Sequence, residues 1–294
     1  MSRLPTFVVI GAMRAGTTSL YAHFREHPEI FVSPEKETDY FSLGDLRKDE
    51  PPRERPRRAS TLSAYQESFR GSSWAKARGE ASPSYLFHGL RSAPRMSAII
   101  PEAKLICVLR DPIDRAYSHF GLNRKFGLEP LADFERAVAA EREPERAGMQ
   151  RFAYLGASRY HEGLRAFASR FPPAQLRVLR FEEFRRDPAA TMRQLYDFIG
   201  VDPGFVPDVA VRHNRSGEHR ASLLRQALRR MPRLRRAVLR RLSPRLGSRF
   251  ADLVLHPQPP LAREVRRRLL EGFSDEVRGL ERLLGWDLSA WRAD

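Results

Sequence analysis

Phe7-Val-Val-Ile-Gly-Ala-Met-Arg-Ala-Gly-Thr-Thr-Ser-Leu20 begins as an apolar, β-branched run and ends as the start of a helix. Thr6–Ile10 reads as a buried strand that stops at Gly11. Gly16 to His27 reads as a helix, with Leu20, Tyr21 and Phe24 at helical spacing and Pro28 closing it. Between them, Gly11-Ala-Met-Arg-Ala-Gly16-Thr17-Thr18 carries the glycine spacing of a P-loop, G-x-x-x-x-G-K-[ST], with Thr17 where the lysine belongs. A strand feeding a glycine turn and then a helix N-terminus is an anion site, because backbone amides converge there and the helix dipole favours negative charge. The missing lysine argues against ATP or GTP hydrolysis, where that side chain reaches the β- and γ-phosphates. Arg14 supplies a cation inside the loop instead, with hydroxyls from Thr17, Thr18 and Ser19.

Further strands and helices alternate outward from this element. Glu29–Ser33 is a short strand candidate, and Lys104–Leu109 is a continuous apolar run of the kind buried on both faces of a parallel sheet. A helix follows from Pro112, since proline is well tolerated in a first turn. Leu176–Phe181 is another strand candidate, and Pro188–Ile199 a helix ended by Gly200. Arg47–Ser60, rich in Arg, Glu and Pro without periodicity, reads as an exposed loop. Ala221–Arg241 spaces leucines among arginines and breaks at Pro232, and a final helix is expected over Leu261–Leu284, ahead of Trp286 and Trp291. The pattern predicts an α/β fold: a P-loop NTPase-like parallel β-sheet flanked by helices, with a helical C-terminal region. One domain over residues 1–294 is expected, with a basic helical arm at about 218–249 inside it.

Composition narrows the class. The chain has 294 residues, 41% of them apolar, which is enough for a sizeable core. Its single cysteine, Cys107, excludes a disulfide framework or a multi-cysteine metal cluster and reads as a small buried core residue. No apolar stretch approaches the roughly eighteen residues of a membrane span. The N-terminus runs into the first strand without a signal-peptide pattern, so a cytoplasmic location is the expectation. The formal charge of +16 is carried almost wholly by arginine, with only five lysines. It permits nucleic-acid binding, but no finger spacing or RNP-like strand accompanies it, and no specific nucleic-acid partner is expected.

The segment Phe7–Leu20 resembles the 5′-phosphosulfate-binding loop of sulfotransferases that use 3′-phosphoadenosine-5′-phosphosulfate (PAPS), particularly heparan-sulfate-type and related bacterial members. Arg14 stands where that loop usually has lysine, and Ala15, Gly16, Thr17, Thr18 and Ser19 match the rest. Leu105-Ile-Cys-Val-Leu-Arg110-Asp-Pro-Ile-Asp-Arg-Ala-Tyr-Ser118 resembles the family's 3′-phosphate segment, with Arg110 and Ser118 as the gripping pair. An arginine at a strand's C-terminal end faces the ligand crevice of an open α/β sheet and binds phosphate bidentately. Read alone, Arg110 and Asp111 are equally a surface pair. Pro34-Glu-Lys36-Glu37-Thr-Asp-Tyr-Phe41 is similar to the family's K-E-x-x-[FY]-F element, which implies Glu37 as general base and Lys36 as an aid at the leaving group or acceptor. Arg14 is the second cation implied in catalysis. Gly79-Glu-Ala81-Ser-Pro-Ser-Tyr85 resembles E-K-[ST]-P-x-Y-F, with Ala81 where polysaccharide-modifying members carry lysine. Tyr160 matches a tyrosine near the family's acceptor cleft, and core packing explains it equally well. Arg212–Arg220 resembles the loop that closes over the 3′-phosphate and adenine, implying Arg215, Ser216, Gly217 and Arg220.

The resemblance thus implies in-line transfer of a sulfuryl group from PAPS, leaving 3′-phosphoadenosine-5′-phosphate, to a hydroxyl or amine, with a carbohydrate or glycolipid as the leading acceptor. No metal or redox cofactor is implied. His23 and His27 read as helix residues rather than catalytic ones. The arginine-rich arm reads as helices packing leucine inward, or as an interfacial helix giving peripheral contact with an anionic membrane. Two rivals stand beside this reading: a P-loop small-molecule or nucleotide kinase, and a basic nucleic-acid-binding protein.

Overall fold

The first apolar run is enclosed along its whole length, as a strand covered on both faces requires. In the computed structural model this strand, β1 (Phe7–Gly11), leads into α1 (Thr17–Glu26), β2 (Ile30–Val32), α2 (Tyr40–Leu43), α3 (Leu62–Glu67) and β3 (Ala77–Ala81). Next come α4 (Ser84–Phe87), α5 (Gly89–Ile99), β4 (Lys104–Leu109), α6 (Pro112–Lys125), α7 (Phe134–Ala139) and α8 (His161–Ala168). The chain continues with β5 (Leu176–Arg180), α9 (Phe181–Arg186), α10 (Pro188–Ile199), the two-residue strands β6 (Glu218–His219) and β7 (Leu255–His256), α11 (Arg263–Glu271) and α12 (Ser274–Leu284). The structure describes residues 4–43, 60–208, 218–219, 255–256 and 258–292; the arm expected at about 218–249, apart from Glu218 and His219, and the loop expected at 47–60, apart from Ser60, lie outside them. The described residues form two compact units, the first comprising 4–43, 60–112, 159–208 and 273–292, the second 113–158 and 258–272 with the antiparallel β6–β7 pair.

The first unit holds a five-stranded sheet in the order β2-β3-β1-β4-β5, every neighbouring pair parallel. This is the helix-flanked parallel sheet that the sequence predicts. β1 and β4 occupy its middle, so their side chains meet protein on both faces, and Phe7, Val8, Ile10 and Leu105–Leu109 are essentially buried. Phe24 of α1 packs its ring 4.9 Å from that of Phe7. Each such fully enclosed side chain is worth about 1.5–3 kcal/mol relative to exposure. Within this sheet, the strand that the sequence does not reveal is β3, because Ala-Arg-Gly-Glu-Ala has neither an apolar run nor apolar alternation. Gly79 faces Phe7 in the register, and a Cβ there would lie 2.1 Å from the Phe7 ring, so the glycine makes room for the aromatic core. α10 has the predicted bounds: Asp187 accepts from the Ala190 amide at 2.9 Å, and Gly200 ends the helix at φ 86°.

The second unit gathers Ala116, Phe120, Phe134, Ala137 and Tyr154 into its own apolar core, with Leu261, Val265 and Leu269 packed against it. A buried carboxylate, Glu129, accepts from Arg146 Nη1 at 2.7 Å, Tyr154 OH at 2.8 Å and the Leu131 amide at 2.8 Å. The single helix expected over Leu261–Leu284 is two. The break at Gly272–Phe273 falls where the chain passes from the second unit to the first: α11 lays Val265 and Leu269 on one core, whereas Val277 and Leu280 of α12 are buried in the other. Local periodicity carries no record of which core a helix face serves. Cys107 is wholly buried in β4, and burial pushes its thiol far above the ordinary range, which removes thiolate chemistry.

Candidate active site

All strands of the large sheet are parallel, so their C-terminal ends share one edge. The chain runs from β1 to β2 and β3 on one side of β1 and to β4 on the other. The loops after β1, β2, β3 and β4 therefore open at the same edge, within the first unit. These are the loops that carry Arg14, Glu37, Ser82 and Arg110.

The loop after β1 is tied to the sheet by the Ala12 amide, which donates to the Val108 carbonyl at 2.7 Å. Gly16 caps α1 in the left-handed region at φ 85°, and no side chain caps the helix. The leading amides of a helix have no partner within it, and no acidic residue occupies this first turn, so the end is set up for an anion. Arg14 also has positive φ, 66°, which is rare for a residue with a Cβ. Ala15 and Thr17 are buried, while Thr18 and Ser19 are half-buried at the helix start.

Arg110, just past β4, is fixed by its surroundings. Its Nη1 donates to the Arg14 carbonyl at 3.2 Å, and its guanidinium lies 4.9 Å from the centre of the Phe181 ring. The two segments predicted to handle phosphate are thus joined by a hydrogen bond. Tyr160 is buried and donates its hydroxyl to the Arg110 carbonyl at 2.9 Å. That hydroxyl ties the start of α8 to the backbone just past β4. Glu276 of α12 in turn accepts from the amide of His161 at 2.6 Å, anchoring the start of α8 beside Tyr160.

Lys36 and Glu37 form an ion pair in the loop after β2, Nζ to Oε1 at 2.5 Å, with both side chains half-buried. Glu37 and Asp39 have φ of 63° and 52°. The Glu37 amide donates to the Ala81 carbonyl at 3.0 Å, which joins this loop to the end of β3. Ala81 itself is buried and paired with Val9. His23 is buried in α1, and His27 lies at its C-cap with Nε2 2.9 Å from the Asp202 carbonyl, so neither stands in a catalytic position.

Among the predicted residues, the structure brings Arg14 to Ser19, Lys36, Glu37 and Arg110 to one sheet edge. Ser118 lies on α6 in the second unit and is buried. Arg215, Ser216, Gly217 and Arg220 lie outside the described residues. Glu80, which stands at the glutamate of the E-K-[ST]-P-x-Y-F match but to which the sequence assigns no role, is a carboxylate fully enclosed in β3 and hydrogen-bonded to Thr38 of the Glu37 loop. Burial pushes its carboxyl up, although hydroxyls of Thr38, Tyr65, Ser82 and Tyr85 pull the other way. A charged residue flanked by Gly79 and Ala81 gave no local sign of burial. Among the described residues no cluster of His, Cys, Asp and Glu has the makings of a metal site.

An open helix start without acidic residues, an arginine at the neighbouring strand end and a carboxylate at the same sheet edge have the layout of an anion site in a parallel α/β protein. A sequence profile of the Sulfotransferase family matches residues 5–205, and the chain belongs to that family. The sulfotransferase of Alicyclobacillus acidocaldarius is 29% identical and superposes with a TM-score of 0.73 over 99% of each chain. Human bifunctional heparan sulfate N-deacetylase/N-sulfotransferase 3 is 29% identical over 214 residues, 69% of this chain and 23% of that protein. The membrane-associated sulfotransferase kil1 of Dictyostelium discoideum is 33% identical over 117 residues, 40% of this chain and 22% of that one. The chain therefore spans less than a quarter of the length of these two curated relatives.

Proposed function

We propose that this protein transfers a sulfuryl group from PAPS to a hydroxyl or amine of an acceptor, with Glu37 as general base. The observation that carries the proposal is the shared sheet edge, where the helix N-terminus after Gly16 and the Arg110 hydrogen bond to Arg14 adjoin the strand ends beneath Glu37. These residues suit the donor: the amides opening α1 and the Arg14 cation match a 5′-phosphosulfate, and Arg110 matches a phosphate oxygen. PAPS supplies an activated sulfur–oxygen bond to a good leaving group.

The chain's own residues would do the remainder. Glu37 takes the acceptor proton as the new oxygen–sulfur or nitrogen–sulfur bond forms and the bond to the phosphate oxygen breaks. Lys36, paired with Glu37 Oε1, orients that carboxylate. Arg14 and Lys36 offset the charge that develops on the departing phosphate. Ser118, Arg215, Ser216, Gly217 and Arg220 are assigned to the 3′-phosphate and adenine by the family resemblance of their segments. A carbohydrate is the proposed acceptor class, supported by the name of the heparan sulfate relative. A cytoplasmic location is proposed, with the arginine-rich segment 221–249 as the part that would meet an anionic membrane. Co-sedimentation only with vesicles containing phosphatidylserine would support that contact, and none at low salt would remove it.

Calorimetric titration with 3′-phosphoadenosine-5′-phosphate, AMP and ATP tests the donor. Preference for the 3′-phosphorylated ligand is expected, because ATP lacks the group assigned to Arg110. Equal or tighter ATP binding would overturn the proposal in favour of a kinase.

A further inference from the structure

Glu80 is the one described carboxylate whose oxygens we find held by four neutral hydroxyls. Oε2 accepts from Thr38 Oγ1 at 2.7 Å and Ser82 Oγ at 2.8 Å, and Oε1 accepts from Tyr65 OH at 2.7 Å and Tyr85 OH at 2.8 Å. Four hydroxyls thus crowd the roughly four lone-pair sites of one carboxyl group, and Thr38 Oγ1 also lies 3.0 Å from Tyr85 OH, which links two of them. Burying such a group costs folding energy, and removing its charge and its partners together would be the simpler core. The arrangement therefore calls for a reason beyond packing.

That reason lies in what the hydroxyls belong to. Thr38 sits between Glu37 and Asp39, two residues with side chains held at positive φ. Such conformations are disfavoured for residues with a Cβ and persist only where the surroundings over-determine them. Here the loop is tied at three consecutive residues: the Glu37 amide to the Ala81 carbonyl, the Thr38 hydroxyl to Glu80, and the Asp39 amide to Ser82 Oγ at 3.2 Å. Ser82 is itself bonded to Glu80, so two of the three ties end on one carboxylate. Beyond it, Asp39 Oδ1 accepts from Ser84 Oγ at 2.6 Å, which holds the far side of the turn.

We propose that Glu80 is a positioning residue for transfer: through Thr38 and Ser82 it holds the turn at residues 37–39, left-handed at Glu37 and Asp39, that presents the Glu37 carboxylate at the sheet edge. The inference rests on the proposed role of Glu37. It assigns Glu80 no contact with donor or acceptor.

The test compares E80Q, T38V, T38S and the E80Q/T38V double variant with the intact chain. E80Q keeps the side-chain volume but replaces one acceptor oxygen by a donor, T38V deletes the hydroxyl tie, and T38S keeps it. Three readouts need no acceptor: amide exchange at residues 37 and 39, release of sulfate from PAPS with water as acceptor, and affinity for 3′-phosphoadenosine-5′-phosphate. E80Q and T38V are expected to speed exchange at the two amides by about tenfold and slow sulfate release by about tenfold, with nucleotide affinity within about twofold. T38S should stay within about threefold of wild type, and the double variant should be no slower than the worse single, because both act through one tie. Wild-type exchange and release in T38V would overturn the inference, as would effects that multiply in the double variant. Should E80Q fail to fold, the T38V and T38S pair decides alone. E37Q run in parallel separates the two ideas: wild-type release in E37Q would remove Glu37 as base, while the exchange rates would still decide whether Glu80 holds the loop.

Discussion

Replacing Gly16 by alanine should damage both stability and nucleotide binding, by amounts the structure allows to be separated. Gly16 has φ 85°, and a Cβ there would lie 3.1 Å from Phe184 Cε1 and 3.2 Å from Phe181 Cε2. Gly200 has nearly the same φ, 86°, but a Cβ there would meet nothing within 4 Å. The G200A variant therefore isolates the backbone cost, about 1 kcal/mol for a left-handed alanine. G16A adds the displacement of two packed rings, one of which, Phe181, also underlies the Arg110 guanidinium. A further 1 kcal/mol or so is expected, giving about 2 kcal/mol in all. In urea titrations G200A should lose about half as much stability as G16A. Calorimetry with 3′-phosphoadenosine-5′-phosphate should show G200A unchanged and G16A weaker by about tenfold, equivalent to about 1.4 kcal/mol. Equal destabilisation of the two variants, with G16A binding nucleotide normally, would refute the argument that ring packing shapes this loop.

E37Q should abolish sulfuryl transfer while leaving nucleotide affinity within about twofold, since only proton acceptance is removed; turnover at the wild-type rate would exclude Glu37 as base. R110A should weaken binding of the 3′-phosphorylated nucleotide by about a hundredfold but that of AMP far less, as a charge-assisted phosphate contact is lost; an equal loss for both ligands would count against the assignment. In the second unit, R146M should cost about 3 kcal/mol at neutral pH by leaving Glu129 buried without its cation. Burial raises the Glu129 carboxyl, but the Arg146, Leu131 and Tyr154 bonds outweigh it and hold it below the ordinary value. The unfolded state therefore binds more protons through that range. The stabilisation is complete above the unfolded carboxyl value and is lost as pH falls through the folded one. The penalty of R146M, read by urea unfolding at several pH values, should shrink in acid, and a pH-independent penalty would contradict it.

What the sequence by itself determined is local. Strands β1 and β4 are legible because Phe7–Ile10 and Leu105–Leu109 are enclosed on both faces and apolar at every position, and α10 because Asp187, Pro188 and Gly200 mark its ends chemically. The turn between Gly11 and Thr17 is legible for the same reason, since its glycine spacing encodes backbone conformation directly. Tertiary structure alone decided the rest. β3 exists because Gly79 admits the Phe7 ring and because hydroxyls from residues 38, 65, 82 and 85 converge on Glu80. The helix expected over Leu261–Leu284 divides because its two stretches bury their apolar stripes in different cores. Arg110 meets Arg14, and the Glu37 turn is pinned to β3, only once parallel pairing brings those strand ends to one edge. Periodicity and capping act over a few residues, whereas the solvation of a buried charge is supplied by partners far apart in the chain, and no local pattern records them.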